Sequence, residues 1–245
     1  MAQETTVALI TGAAARIGRA IALELAASGW ACAIHYNRSE AAAADAVAAI
    51  EAAGGRAIAL KADLANLDET VGMIAACAQR LGPPTCLINN ASLFEDDRLE
   101  TMTPERWQAH FDVNLRAPVF LAQRFAHMLG REQSGVVINL IDQRVLRPSP
   151  EFYSYFLSKA ALWVATQTMA QALAPRIRVN AISPGPVLQS IHQHPGDFET
   201  EWRATPLQRQ VEVSEITAAV RFILAAPSMT GQMITLDAGQ HLAWR

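Results

Sequence analysis

The stretch Thr5–Trp30, TTVALITGAAARIGRAIALELAASGW, decides the fold. It opens as a short apolar, β-branched run, passes through a turn carrying Gly12 and Gly18, and continues from about Arg16 to Ser28 as an amphipathic helix. A strand, a glycine turn and a helix amino terminus in that order form a phosphate-binding unit. The glycines allow the turn and a close backbone approach, and the helix end offers unpaired N–H groups and a positive dipole. The same order continues along the chain. Strands are expected near 5–11, 31–36, 56–61, 86–89, 134–141, 177–182 and 232–236, with helices at about 16–28, 39–53, 66–81, 103–130, 151–174 and 213–225. Alternation of this kind requires crossover connections. The expected fold is therefore α/β: a single doubly wound domain over residues 1–245, with a seven-stranded parallel sheet covered by helices on both faces. Ligands of such sheets sit beyond the carboxyl ends of the strands, where Gly12, Arg38, Asp63, Asn90, Asp142 and Pro184 fall.

About twenty residues past the loop, a dinucleotide-binding sheet ends its second strand on the residue that reads the adenosine ribose. Here that strand is ACAIHYNRS, closing on Tyr36, Arg38 and Ser39 with no carboxylate before Glu40. A guanidinium and a hydroxyl suit a 2′-phosphate, so the expected cofactor is NADPH. Farther along, Tyr155 and Lys159 stand four residues apart in FYSYFLSKAALWVATQTMAQAL, and Lys61 is the only other lysine. At i and i+4 on a helix they share a face. An ammonium beside a phenol is expected to lower the phenol pKa from about 10 towards neutrality and make the tyrosine a usable proton donor and acceptor.

These residues resemble the short-chain dehydrogenases/reductases over essentially the whole chain. The likeness rests on TGAAARIG, Ala62-Asp63-Leu64, NNAS at 89–92, Asn114, Tyr155, Lys159 and Pro184-Gly185 in order. Within that family the chain is most similar to the pteridine reductase group, including the bacterial dihydromonapterin reductases. Arg16 stands where most relatives have a glycine, HYNRS and NNASLF match that group, and LDAGQHL is similar to the bacterial members.

The resemblance implies residue roles. Gly12, Arg16, Ile17 and Gly18 would hold the pyrophosphate, Arg38 and Ser39 the 2′-phosphate, and Asp63 with Leu64 the adenine. Asn90 and Ala91 would flank the adenosine ribose, Tyr155 and Lys159 would reach the nicotinamide ribose, and Pro184, Gly185 and Val187 would meet the nicotinamide amide. Asn114 matches the residue that organises a water beside the lysine. Phe94 would stack on a pterin, with Arg16, Ser92, Asp142 and Tyr155 on its polar edge. Residues 186–207 would form a substrate lid, and the long helices would pack the chain into a homotetramer.

One absence discriminates among activities. Most of the family carries a serine twelve or thirteen residues before the tyrosine, whereas INLIDQRV puts Asp142 there and no serine lies nearer than Ser134 or Ser149. An ionised carboxylate would oppose the alkoxide that develops when a ketone is reduced. Reduction of a pterin C=N bond needs a proton delivered to nitrogen, which a carboxyl group can supply or relay. The expected activity is NADPH-dependent reduction of a dihydropterin, dihydromonapterin or dihydrofolate to the tetrahydro form. A carbonyl reductase of the 3-oxoacyl-thioester type and a non-catalytic NADP-binding protein stay open as alternatives.

Composition bounds the partners. With a net charge of −3 the chain has no polybasic footprint for nucleic acid, and 51% hydrophobic residues give ample core for one domain. MAQETTVALITG fits neither a signal peptide nor a membrane span. Cys32, Cys77 and Cys86 are scattered, which suits reduced thiols in a cytoplasmic protein. His192 and His194 flank Gln193 without a third ligand, so no metal is expected. Arg144 and Arg147 read as a solvated loop able to meet a folate tail, and the resemblance to the pteridine reductases implies that the carboxyl terminus, Arg245, approaches a neighbouring subunit.

Overall fold

The computed structural model describes residues 6–190 and 193–243. Seven strands, β1 (Val7–Ile10), β2 (Ala31–Tyr36), β3 (Ala57–Lys61), β4 (Cys86–Asn89), β5 (Gly135–Leu140), β6 (Ile177–Pro184) and β7 (Met233–Leu236), form one sheet in the order β3-β2-β1-β4-β5-β6-β7. Every neighbouring pair is parallel. Helices α1 (Arg16–Ala27), α2 (Glu40–Ala52) and α3 (Leu67–Leu81) connect the first four strands. The chain runs outward through β2 and β3, then returns to place β4 on the other side of β1. The resulting crevice lies between the carboxyl ends of β1 and β4, the switch point of the sheet.

Alternation along β1 sorts its side chains to two cores. Ala8 and Ile10 join Ile21, Ala22 and Leu25 of α1 and Ala43, Ala46 and Ile50 of α2. Val7 and Leu9 join Met73, Ile74 and Cys77 of α3. Burying each large aliphatic side chain here stabilises the fold by about 1.5–3 kcal/mol, so a register slip of one residue, which would exchange the faces, is strongly disfavoured. The cysteines Cys32, Cys77 and Cys86 are free and buried. Burial pushes the thiols up, to about 12 for Cys32 and Cys77, so they are inert.

The single helix expected over 103–130 is instead three pieces: α4 (Pro104–Phe111), a π-helical turn (Asp112–Arg116) and α5 (Ala117–Met128). Pro118 explains the interruption, because it has no N–H to give the Asn114 carbonyl four residues back. The Ala117 N–H reaches the Asp112 carbonyl, five residues back. After β5 and a short 3₁₀ turn (Gln143–Val145) comes α6 (Tyr153–Leu173), then β6. The stretch 186–207, where no helix was expected, contains a short helix α7 (Asp197–Arg203). Finally α8 (Val213–Ala225) leads into β7 and a closing 3₁₀ turn (Gln240–Leu242). Among the described residues no helix is long and apolar enough to cross a membrane.

Candidate active site

The loop after β1 is braced from both neighbouring strands. On the β4 side Asn90 donates from Nδ2 to the carbonyls of Thr11 (2.9 Å) and Gly12 (3.1 Å), and Thr11 Oγ1 accepts the N–H groups of Asn90 and Ala91. On the β2 side the Gly12 N–H donates to His35 Nδ1 at 3.0 Å. That bond fixes the tautomer, so His35 Nε2 carries the hydrogen and donates to the Ala62 carbonyl at 3.1 Å. Burial lowers the His35 pKa, in keeping with a neutral ring. Two glycines are required here. Gly12 has φ +63°, and a Cβ at Gly18 would lie 2.4 Å from the Gly12 carbonyl oxygen.

This cradle fits a pyrophosphate. Ala15 precedes α1 without a capping side chain, and the first turn carries no acid, so its N–H groups are not spent on a protein carboxylate. At the end of β2 both Arg38 and Ser39 are exposed, and Ser39 precedes α2 without a side-chain cap bond. Those two groups can hold a phosphate beside the ribose, with Tyr36 closing the strand behind them. Asp63 follows β3 and accepts the Ala65 N–H through Oδ1 at 2.9 Å, while Leu64 is buried beneath it.

The reactive end is a cavity of about 740 Å³. Of the residues singled out in the sequence, it brings together Arg16, Ile17, Asn90, Ser92, Phe94, Asp142, Tyr155, Lys159, Pro184, Gly185 and Val187. Gly12, Gly18, Tyr36, Arg38, Ser39, Asp63, Leu64 and Ala91 do not line it, and Asn114 stands behind its wall. Tyr155, buried on α6, donates from Oη to Asp142 Oδ2 at 2.8 Å. One turn on, Lys159 Nζ donates to the Leu140 carbonyl at 2.8 Å, at the carboxyl end of β5. Gly185 is pressed against the chain after β7, where a Cβ would lie 2.6 Å from Asp237 Cα.

The electrostatics correct one expectation. The Tyr155 hydroxyl is held well above its ordinary value, first by burial and then by the charge and hydrogen bond of Asp142, so Lys159 does not bring it towards neutrality. Burial lowers the Lys159 ammonium to about 8. Tyr155 is therefore held as a phenol, hydrogen-bonded to Asp142, and not as a phenolate.

Of two further placements, that of Arg144 differs from the sequence reading. Asn114, fully buried in the π-helical turn, spends its side chain on the pocket wall: Oδ1 accepts the Leu93 N–H (2.8 Å) and Nδ2 donates to the Leu93 carbonyl (2.9 Å) and Ser158 Oγ (3.0 Å). Arg144 is not in a solvated loop. It lines the cavity, its Nη1 lies 3.6 Å from Asp142 Oδ2, and its guanidinium carbon stands 5.0 Å from the ring centre of Phe152 and 5.7 Å from that of Phe94. Arg147 is exposed and reaches the Gln240 carbonyl at 3.4 Å. His194 is exposed, and His192 and Arg245 lie outside the described residues.

The structure adds site residues that the sequence did not single out. Phe152 stacks on Phe94 with centroids 4.4 Å apart, and Phe94 meets Tyr155 edge-on at 4.7 Å. Glu201 of α7 lines the cavity and accepts from Gln193 Nε2 (2.7 Å) and Gln240 Nε2 (3.0 Å), joining the 186–207 stretch to the carboxyl-terminal turn. His35 was legible only as a polar residue interrupting an apolar strand.

The chain is similar to known proteins over most of its length. The family model described as short chain dehydrogenase matches residues 6–199. A 3-oxoacyl-(acyl-carrier-protein) reductase from Synechocystis sp. is 34% identical over 237 residues, covering 95% of this chain and 96% of that protein. The crystal structure of FolM alternative dihydrofolate reductase 1 from Brucella canis, complexed with NADP, is 48% identical with a TM-score of 0.95 and covers 98% of this chain and 95% of that one. A short chain dehydrogenase from Burkholderia cenocepacia, in complex with NADP, is 33% identical with a TM-score of 0.89 over 96% of this chain and 97% of that one. With the sheet order, the braced glycine loop and the Tyr155–Lys159 pair all in place, the chain belongs to the short-chain dehydrogenase family.

Proposed function

We propose that this oxidoreductase reduces a dihydropterin or dihydrofolate to its tetrahydro form with NADPH. The observation that carries the reading is the Tyr155–Asp142 hydrogen bond of 2.8 Å at a position where a ketone reductase needs a neutral hydroxyl donor. The Brucella canis neighbour, an alternative dihydrofolate reductase complexed with NADP and 48% identical, supports it. The Synechocystis relative, a 3-oxoacyl reductase, favours ketone reduction as a second reading. Asp142 speaks against that reading, because a carboxylate beside the reacting oxygen would raise the energy of a developing alkoxide.

Reduced nicotinamide, when bound, supplies a hydride to a ring carbon. The residues of the chain do the rest. Gly12, Arg16, Ile17 and Gly18 hold the pyrophosphate, and Arg38 with Ser39 binds the 2′-phosphate as two exposed donors. Asp63, Leu64, Asn90 and Ala91 surround the adenosine, while Pro184, Gly185 and Val187 orient the nicotinamide amide. Phe94 presents an aromatic platform to the pterin. Tyr155 keeps its proton at neutral pH and delivers it to the ring nitrogen, and Asp142 aligns the phenol and relays the replacement proton. Lys159, protonated below about pH 8, holds the nicotinamide ribose. Residues 186–207 act as a lid, tied to the cofactor loop by Arg16 Nη2 on the Leu188 carbonyl at 3.1 Å. Assembly as a cytoplasmic homotetramer belongs to the same proposal and rests on family resemblance.

The test is equilibrium titration of a dihydropterin into the protein loaded with NADP. Saturable binding that needs the cofactor is expected. Binding of a 3-oxoacyl thioester with no binding of any pterin would overturn the reading.

A further inference from the structure

The aromatic platform is held from behind by a set of buried polar groups that the reaction itself does not use. Phe94 lies between Leu93 and Glu95, and the N–H groups of both neighbours are taken by side chains one helical turn apart. Asn114 Oδ1 accepts from Leu93 at 2.8 Å, and His110 Nε2 accepts from Glu95 at 3.2 Å. His110, at 0% exposure, is fixed in one tautomer by that bond. With Nε2 accepting, Nδ1 carries the hydrogen and donates to Ser154 Oγ at 2.6 Å. The Ser154 hydroxyl in turn donates to Asp97 Oδ2, and the Ser154 N–H donates to Asp97 Oδ1 at 2.9 Å. Phe152, which precedes α6 in a left-handed conformation, provides no side-chain cap. Asp97 therefore caps the helix that carries Tyr155 from the strand of wall that carries Phe94.

Asp97, Ser154 and His110 have the residue types of a hydrolytic triad but not its wiring. The serine hydrogen goes to the carboxylate, and the imidazole donates to the serine where it would have to accept. All three are buried, with no more than 2% exposure. Their geometry is that of a clasp.

We propose that His110 is a positioning residue. Through the bond that its Nε2 accepts from the Glu95 N–H, it sets the distance and tilt of Phe94 against Tyr155, and with them the fit of a flat heteroaromatic substrate, while Asp97 holds Ser154 at the start of α6 by bonds of its own. The substrate half of this statement rests on the pterin reading, whereas the clasp itself does not.

Two variants separate the links. In His110→Gln the terminal amide reaches the Nε2 position and can accept from Glu95, leaving Ser154 unserved. His110→Asn ends at the Nδ1 position, keeping a donor for Ser154 and leaving the Glu95 N–H without an acceptor. Each removes one buried hydrogen bond, so the two carry a similar cost in stability. In His110→Asn the KM for dihydropterin is expected to rise about tenfold, the scale of one buried hydrogen bond, with the KM for NADPH unchanged. His110→Gln is expected to stay within about threefold of wild type in both. In the cofactor-free proteins, hydrogen exchange at the Glu95 amide should accelerate in His110→Asn and stay protected in His110→Gln.

Equal effects of the two variants on pterin KM and on Glu95 exchange, or a matching rise in NADPH KM, would overturn the proposal. A wild-type protein that turns over no pterin while the exchange contrast holds would sink the proposed function and leave the clasp standing. Pterin turnover without the contrast would do the reverse.

Discussion

Replacing Asp142 by Asn separates chemistry from structure at the centre of the site. The carboxylate does two jobs with two oxygens: Oδ2 accepts the Tyr155 hydroxyl at 2.8 Å, and Oδ1 accepts the Arg144 N–H at 2.9 Å, capping the 3₁₀ turn. Asparagine can keep the Oδ1 bond, so its effect on stability is expected to stay below about 1 kcal/mol, whereas Ala would lose the cap and cost about that much. The other oxygen becomes an amide that cannot accept the phenol hydrogen. General acid catalysis of this kind contributes about 10²–10⁴ in rate, so kcat for pterin reduction should fall by that factor, about 3–5 kcal/mol in the barrier. Removing the Asp142 charge also removes one cause of the raised Tyr155 pKa, leaving burial as the main one. The assay is single-turnover oxidation of bound NADPH by a dihydropterin, with NADPH affinity and thermal stability measured on the same preparations. Wild-type kcat in Asp142→Asn would refute a role in proton delivery. A loss shared equally by NADPH affinity and stability would make Asp142 structural.

Three further outcomes follow from the geometry. Arg16 occupies the left-handed region at φ 54°, which costs a non-glycine residue about 1–2 kcal/mol, so Arg16→Gly should be more stable than Arg16→Ala by about that amount in urea unfolding; equal stability would refute the strain. Because burial lowers Lys159 to about 8, its charge is present below that pH and lost above it in the free protein. The kcat/KM for NADPH, which reports the free enzyme, should therefore fall as pH rises through about 8, while any residual activity of Lys159→Arg should not show that limb; the same limb in both proteins would assign it elsewhere. Arg38→Asp should shift the ratio of kcat/KM for NADPH over NADH by about a hundredfold or more toward NADH, the scale of one or two charge-assisted hydrogen bonds; an unchanged ratio removes Arg38 from the 2′-phosphate site.

The layout of the sheet was legible because β1, β2 and the strands after them are short apolar runs separated by helical patterns and turns, which period and length alone can sort. The candidate site residues were legible for a different reason: Tyr155 and Lys159 meet through local helical geometry, and the sequence distance from Asp142 to Tyr155 spans one 3₁₀ turn, a short loop and the start of α6. What escaped depended on contacts without a local pattern. The π-helical turn at Asn114 follows from a missing N–H at Pro118 inside a sequence that otherwise reads as continuous helix. Helix α7 is seven residues of polar sequence, DFETEWR, too short for periodicity to register. The direction of the Tyr155 shift could not be read from the spacing of Lys159, because the carboxylate that reverses it arrives from β5. His35 and His110 are single polar residues whose partners lie 27 and 44 positions away at the farthest, so nothing near them in sequence announces a role.

The most direct test of the account is NADPH consumption by the purified wild-type protein, with dihydropterins and dihydrofolate run beside 3-oxoacyl thioesters and simple ketones. The account predicts turnover confined to the pterin-ring substrates. Turnover of thioesters or ketones with every pterin inert would contradict it and assign Asp142 to some task other than proton delivery to a ring nitrogen.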